Sequence, residues 1–155
     1  MPQDQALKTA FWQALSDSPF VMLELDGHPE GVAPMTAQLD PDADSAIWFF
    51  TSRNGHFAPM GEANATFSSK DHKIFARFVG HLVEETSLAV KKNFWSNAVA
   101  AWFPGGEDSP EVLLMRMELG EATIWGGDLG LIDSIKLMLG ADVQKEAGEK
   151  LETHL

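Results

Sequence analysis

The chain contains no cysteine, which removes disulfides, thiolate metal sites and cysteine nucleophiles at once. Basic residues are scarce as well: 11 Lys and Arg stand against 23 Asp and Glu, so 11 − 23 = −12. A field of that sign repels nucleic acid and anionic membrane surfaces, and any anion site has to be local. No stretch reaches the roughly 18 apolar residues of a membrane span, and the polar opening Met1 to Thr9 lacks the basic-then-apolar order of an export signal. A soluble, cytoplasmic protein is expected. Several catalytic signatures are missing too. There is no Gly-x-Ser-x-Gly elbow, and the pairs Gly105-Gly106 and Gly126-Gly127 have no lysine after them to make a phosphate loop. His28, His56, His72, His81 and His154 are scattered without metal-ligand spacing, and Asp40 to Asp44 lack the spacing of a calcium loop.

What is present is concentrated in Ala46 to His56, where the apolar run Ile47-Trp48-Phe49-Phe50 stops in Thr51-Ser52-Arg53-Asn54-Gly55-His56. The β-branched and aromatic run is too short for a helix and fits a buried strand. The residues after it offer hydroxyls, an amide, a guanidinium and a Gly-relaxed backbone, which suit a phosphate because Arg makes charge-assisted hydrogen bonds and Gly permits close approach. The same residues also fit an ordinary strand followed by a polar turn.

The 155 residues are expected to form one domain with a core over about 5–127 and a helical extension over 128–155. Asp4 to Ser16 reads as a helix, with Leu7, Phe11 and Leu15 on one stripe and Asp4 as a possible cap. Phe20 to Leu25 and Val32 to Leu39 read as a hairpin around the Gly- and Pro-rich turn Asp26 to Gly31, with Pro34 marking a free edge. Ala46 to Thr51 is the third strand, Phe57 to Asn64 a short helix, and Ala65 to Ser69 and Ile74 to Glu84 two further strands, the second bent or bulged at Gly80. Thr86 to about Ala101 reads as a helix, and Val112 to Trp125 as the longest strand, interruptible at Gly120. Leu131, Ile135, Val143, Ala147 and Leu151 predict helices in the tail. Hairpins without regular β-α alternation point to an α+β fold, an antiparallel six-stranded split β-barrel with flanking helices. Trp12 and Trp48 fit packing roles, whereas Trp102 and Trp125 stand beside Gly-rich turns, where a cleft or interface position is equally compatible. Those aromatic turns, Trp102 to Gly106 and Trp125 to Gly127, suggest a homodimer that covers them.

Ala33-Pro34-Met35, Trp48-Phe49-Phe50-Thr51-Ser52, Ala101-Trp102-Phe103-Pro104-Gly105-Gly106, Ser109-Pro110 and Glu121-Ala122-Thr123-Ile124-Trp125 together resemble the pyridoxamine 5'-phosphate oxidase-like split barrels, in the branch of general stress protein 26. The resemblance covers roughly residues 5 to 130. It implies a homodimer with FMN in clefts shared between subunits, acting as a flavin-dependent oxidoreductase of unspecified substrate or, in the alternative, as a non-catalytic flavin-binding or cofactor-free stress protein. A deazaflavin or haem in the same cleft is a remoter possibility. Carried over residue by residue, Ala33, Pro34, Met35, Phe49 and Phe50 would lie along the flavin ring, Thr51, Ser52 and Arg53, with Asn54 and His56 beside them, around the phosphate, and Trp102 and Trp125 would reach in from the partner. The chain departs from the family pattern at two basic positions, now Ala33 and His56-Phe57. Arg53 is thereby left as the expected main cation for a phosphate.

Overall fold

A computed structural model describes residues 2–43, 45–126 and 149–155. Helix α1 (Pro2–Asp17) carries Asp4 in its first turn, and its stripe Leu7, Phe11 and Leu15 is buried as the four-residue spacing predicts. Phe11 meets the rings of Phe67 and Phe78 edge-on, at 5.8 Å from each. The strands are β1 (Phe20–Leu25), β2 (Ala33–Thr36), β3 (Ala46–Ser52), β4 (Gly61–Ser68), β5 (Ile74–Glu84), β6 (Val112–Gly126) and β7 (Glu149–His154), with the short helices α2 (Leu88–Phe94) and α3 (Asn97–Ala100) between β5 and β6. Among the described residues no helix is long and apolar enough to cross a membrane.

Six strands follow one antiparallel path, β2-β1-β4-β5-β6-β3, and β7 joins β6 beside it. The two ends of that path meet where Gln38 and Trp48 exchange backbone hydrogen bonds of 2.7 and 3.0 Å. Among the described residues that isolated bridge is what links the two ends and the sheet is otherwise open, so the molecule is an antiparallel α+β split barrel. Alternation fills its interior: Ile74, Ala76, Phe78 and Leu82 of β5, Ala63, Ala65 and Phe67 of β4, and Ile47 and Phe49 of β3 all point inward. Strand β6 holds the assembly together along both edges. One edge pairs with β5; the other pairs with β3 from Val112 to Glu118 and with β7 from Glu121 to Gly126.

The bend expected at Gly80 is present. Between Phe78 and Gly80 the register slips, so that two steps along β5 match three along β6, from Ala122 to Leu119. This is the geometry of a bulge, which sharpens the local twist and lets a sheet curl. Pro34 lies on the terminal strand β2, which pairs only with β1 along the path, as its missing donor requires.

Four expectations are corrected. Phe57 to Asn64 is not helical: a turn leads into β4 at Gly61, through left-handed conformations at Met60 (φ 56°) and Gly61 (φ 104°). The inward alternation of Ala63, Ala65 and Phe67, all buried in the core, outweighed the helix preference of alanine. The single helix from Thr86 to Ala101 is two helices, because Ser87 and Ser96 each cap a new start, accepting from Val90 and Val99. The expected strand Val32 to Leu39 shrinks to β2. Leu151 belongs to β7 rather than to a helix, and it and Leu155 are buried against the barrel; the predicted helices at 131–147 lie outside the described residues.

Gly80 is needed for close approach, since a Cβ there would stand 2.6 Å from the carbonyl oxygen of Glu118 and 2.9 Å from Cγ of Met117. Gly80→Ala is expected to destabilise the fold by about 1–3 kcal/mol in chemical denaturation. Gly120→Ala, whose Cβ would meet nothing nearer than 3.6 Å, should stay within about 1 kcal/mol of the parent.

Candidate functional site

The outward face of β3 is covered by the α2–α3 segment through aromatic contacts. Trp48 packs on Phe94 at 5.1 Å, Phe50 meets Trp95 edge-on at 5.7 Å, and Trp95 leans on Phe103 at 6.2 Å. Trp102 stands on the rim with 82% of its surface exposed, and beyond Phe103 the chain turns through Gly106 in a left-handed conformation (φ 83°).

Between this segment, β2 and the C-terminal end of β3 lies a cleft of about 450 Å³. Six of the residues singled out in the sequence line it: Pro34, Met35, Phe50, Thr51, Ser52 and Trp102. Thr36, Gln38, Ser96, Ala98, Val99 and Phe103 complete it. Sequence reasoning missed these six because the α2–α3 break is what brings Ser96 to Val99 over β3, and the barrel-closing bridge is what sets Gln38 beside it. The walls are apolar or aromatic and the polar groups are hydroxyls and one amide. Among the described residues no charged side chain lines the cleft. A more open depression of about 670 Å³ lies between α1 and the Ser69 to Ile74 turn. Asp17, Lys70 and Asp71 on its walls give it mixed charge instead of flat apolar surfaces.

The other six expected residues do not line the cleft. Ala33 packs on the core, and Phe49 is wholly inside it. Asn54 is exposed, its backbone N–H donating to Ser52 Oγ at 3.3 Å. His56 lies over Gly31, where its imidazole fills the space a Cβ would need, and its ring is 5.7 Å from that of His28. Trp125 stands on the far half of β6, past the bulge, between Phe75 of β5 and Lys150 of β7. Arg53 departs furthest from the expectation of a free cation. Its Nη1 and Nη2 donate to both oxygens of Glu84 at 2.9 and 3.3 Å, Nε donates to the carbonyl of Pro110 at 3.1 Å, and Nη2 also donates to that of Val112 at 3.4 Å. Hydrogen bonding from Arg53 holds the Glu84 carboxyl below its usual range, and the same contact raises Arg53.

Comparison with known proteins fits this architecture. Residues 6–149 match the model of the family described as pyridoxamine 5'-phosphate oxidase like. The chain belongs to that family. Among solved structures, the general stress FMN/FAD binding protein from the phytopathogen Xanthomonas citri is 38% identical, over 82% of this chain and 93% of that one, with a TM-score of 0.75. A protein assigned to the general stress family from Xanthomonas campestris pv. campestris is 40% identical, over 82% and 91%, with a TM-score of 0.73. A protein assigned as general stress protein 26 from Jannaschia sp. CCS1 is 26% identical but covers 97% of this chain and 99% of its own, with a TM-score of 0.76. No curated protein matches the chain.

For a member of this family the cleft can be tested against a flavin. Its volume lies in the range of ligand sites, about 300–1,000 Å³, and Met35, Phe50 and Trp102 supply the broad apolar surfaces a fused ring needs. At one end the cleft offers the hydroxyls of Thr51 and Ser52, while Arg53, the next residue, is engaged by Glu84.

The wall formed by β3 is itself held by a buried carboxylate. Burial alone would raise Glu85, whose side chain is 8% exposed. The Trp48 indole (3.0 Å), the Ser87 backbone N–H (3.2 Å) and Arg116 (3.2 Å) all donate to it, and together they hold its pKa below the ordinary 4.5. A carboxylate with a depressed folded pKa contributes stability that is complete above the unfolded value and is lost as pH falls through the folded one. Glu85→Gln should therefore cost about 1–3 kcal/mol near neutral pH. The difference in melting temperature from the parent should close as pH drops below 4.5; a gap that persists unchanged into acid would assign the loss to packing.

Proposed function

We propose that this protein binds a flavin, in its usual form FMN, with the ring in the cleft between β2, the end of β3 and the α2–α3 segment. The observation that carries the reading is the cleft itself: apolar walls from Met35, Phe50 and Trp102 with hydroxyls at one end, in a family member 38% identical to a protein named for FMN/FAD binding. A bound flavin supplies the redox chemistry, and the protein supplies position and exclusion of water. Under this reading Pro34 and Met35 flank the ring, and Thr51 and Ser52 offer hydrogen bonds to the ribityl or phosphate end. Among the described residues no general acid or base lines the cleft; in this reading the protein is either a flavin-dependent oxidoreductase whose chemistry belongs to the cofactor or a flavin-holding stress protein without turnover.

The reading includes a homodimer. The outer face of β1, β2 and β5 exposes Phe20 (60%), Met22 and Phe75, with Pro34 among them, and such an apolar face on a sheet suits a self-complementary contact. Pro34 also lines the cleft, so a second copy seated there would border the ligand, and Trp125, paired with Phe75 across the sheet, would lie at the same contact. Light scattering should give a mass twice the 17.0 kDa of one chain; a monomer at micromolar concentration would remove the shared cleft.

Titration with FMN and riboflavin, followed by quenching of flavin fluorescence, tests the ligand. Trp102→Ala, at an exposed position whose loss leaves the core intact, should weaken both flavins by about tenfold through lost ring contact. Absence of binding by either flavin to the parent protein would sink the reading.

A further inference from the structure

We infer that Glu84 sets the ligand class of the cleft by withholding Arg53, so that the site recognises the flavin ring without reading a phosphate. The inference rests on the flavin reading above for its ligand, though the withheld cation is a feature of the chain itself. Arg53 directly follows Thr51 and Ser52, the two hydroxyl residues at the end of the cleft. A guanidinium has five N–H groups, and four hydrogen bonds engage them: two to Glu84 in the bidentate arrangement that carboxylates favour, one to Pro110 and one to Val112. The two backbone carbonyls hold the side chain at the start of β6. Glu84 neutralises it, and any phosphate approaching Arg53 also meets the Glu84 carboxylate in a protein of net charge −12.

The pair is a surface pair, with side chains 46% and 38% exposed, so solvent and salt reach it and it contributes little to holding the fold together. Its consequence is for binding. Lys91, on α2, is the second cation whose field acts on Glu84. Replacing Glu84 with a neutral residue leaves the Arg53 guanidinium, next in sequence to the hydroxyl residues Thr51 and Ser52, without its bidentate counter-ion, and a cation with neighbouring hydroxyls is the composition of an anion site. One carboxylate therefore separates a ring-binding cleft from a ring-and-phosphate-binding one.

The test compares the parent, Glu84→Gln and Arg53→Ala with riboflavin and FMN, and separately measures the melting temperature of each in inorganic phosphate. The parent should bind the two flavins within about threefold of each other, and Arg53→Ala should leave that ratio unchanged. Glu84→Gln should keep its riboflavin affinity and bind FMN tighter by about tenfold or more, as a new charge-assisted phosphate contact gives. Inorganic phosphate should raise the melting temperature of Glu84→Gln and not of the parent. The inference is overturned if the parent already prefers FMN by tenfold and loses that preference in Arg53→Ala, or if Glu84→Gln gains neither FMN nor phosphate affinity. Should Glu84→Gln fail to fold, the Arg53→Ala ratio alone decides. Binding of neither flavin by the parent removes the flavin reading, and the phosphate measurement still decides the role of Glu84.

Discussion

The structure depends on a change of partner along one edge of β6. Up to Glu118 that edge pairs with β3, and from Glu121 it pairs with β7. At the junction Leu119 donates to Ser45 and Leu155 to Gly120, each at 2.9 Å. The opposite edge of β6 carries its bulge against β5 at the same level, between Phe78 and Gly80. A strand that is bulged on one side and changes partner on the other must bend there, and that bend curls the six-strand path into a split barrel. The cleft lies beyond it, at the end of β3 where Ser52 faces Val112.

Two consecutive carboxylates then divide the work at that end. Glu85 turns to the Trp48 indole and Arg116, fixing the outer face of β3 and, through Phe94 and Trp95, the helical segment that roofs the cleft. Glu84 turns to Arg53 and fixes the turn after Ser52. Hydrogen-bond donors outweigh desolvation at both positions, so both carboxylates stay charged near neutral pH. The first supports the cleft's walls, and the second engages Arg53, the cation next in sequence to Ser52.

Much of the barrel could be read from the sequence because its signals are local. Ile74 to Glu84 alternates cleanly, Gly80 marks its bend, and the stripe Leu7, Phe11 and Leu15 fixes α1. What could not be read depended on contacts between distant residues. Ala63 has good helix propensity, and only its buried place in the sheet, between Leu25 of β1 and Gly80 of β5, makes it a strand residue. Ser96 looked like an interior residue of one helix until its capping role divided that helix in two. The cleft shows the same division. Pro34, Met35, Phe50, Thr51 and Ser52 line one cleft, joined by Trp102 of the same chain where the resemblance had implied a tryptophan from the partner; the engagement of Arg53 was not legible, because Glu84 lies 31 positions away and meets it only through the register of β3 and β5 on β6.

The account holds that this cleft takes a flavin by its ring while Arg53 stays with Glu84. A crystal structure of the protein grown with FMN tests both parts in one observation. The predicted result is a ring lying against Phe50 and Met35, with the Arg53 guanidinium still paired to Glu84 and the phosphate beside Thr51 and Ser52 or in solvent. A ring bound elsewhere, or an Arg53 that has left Glu84 to hold the phosphate, would contradict it.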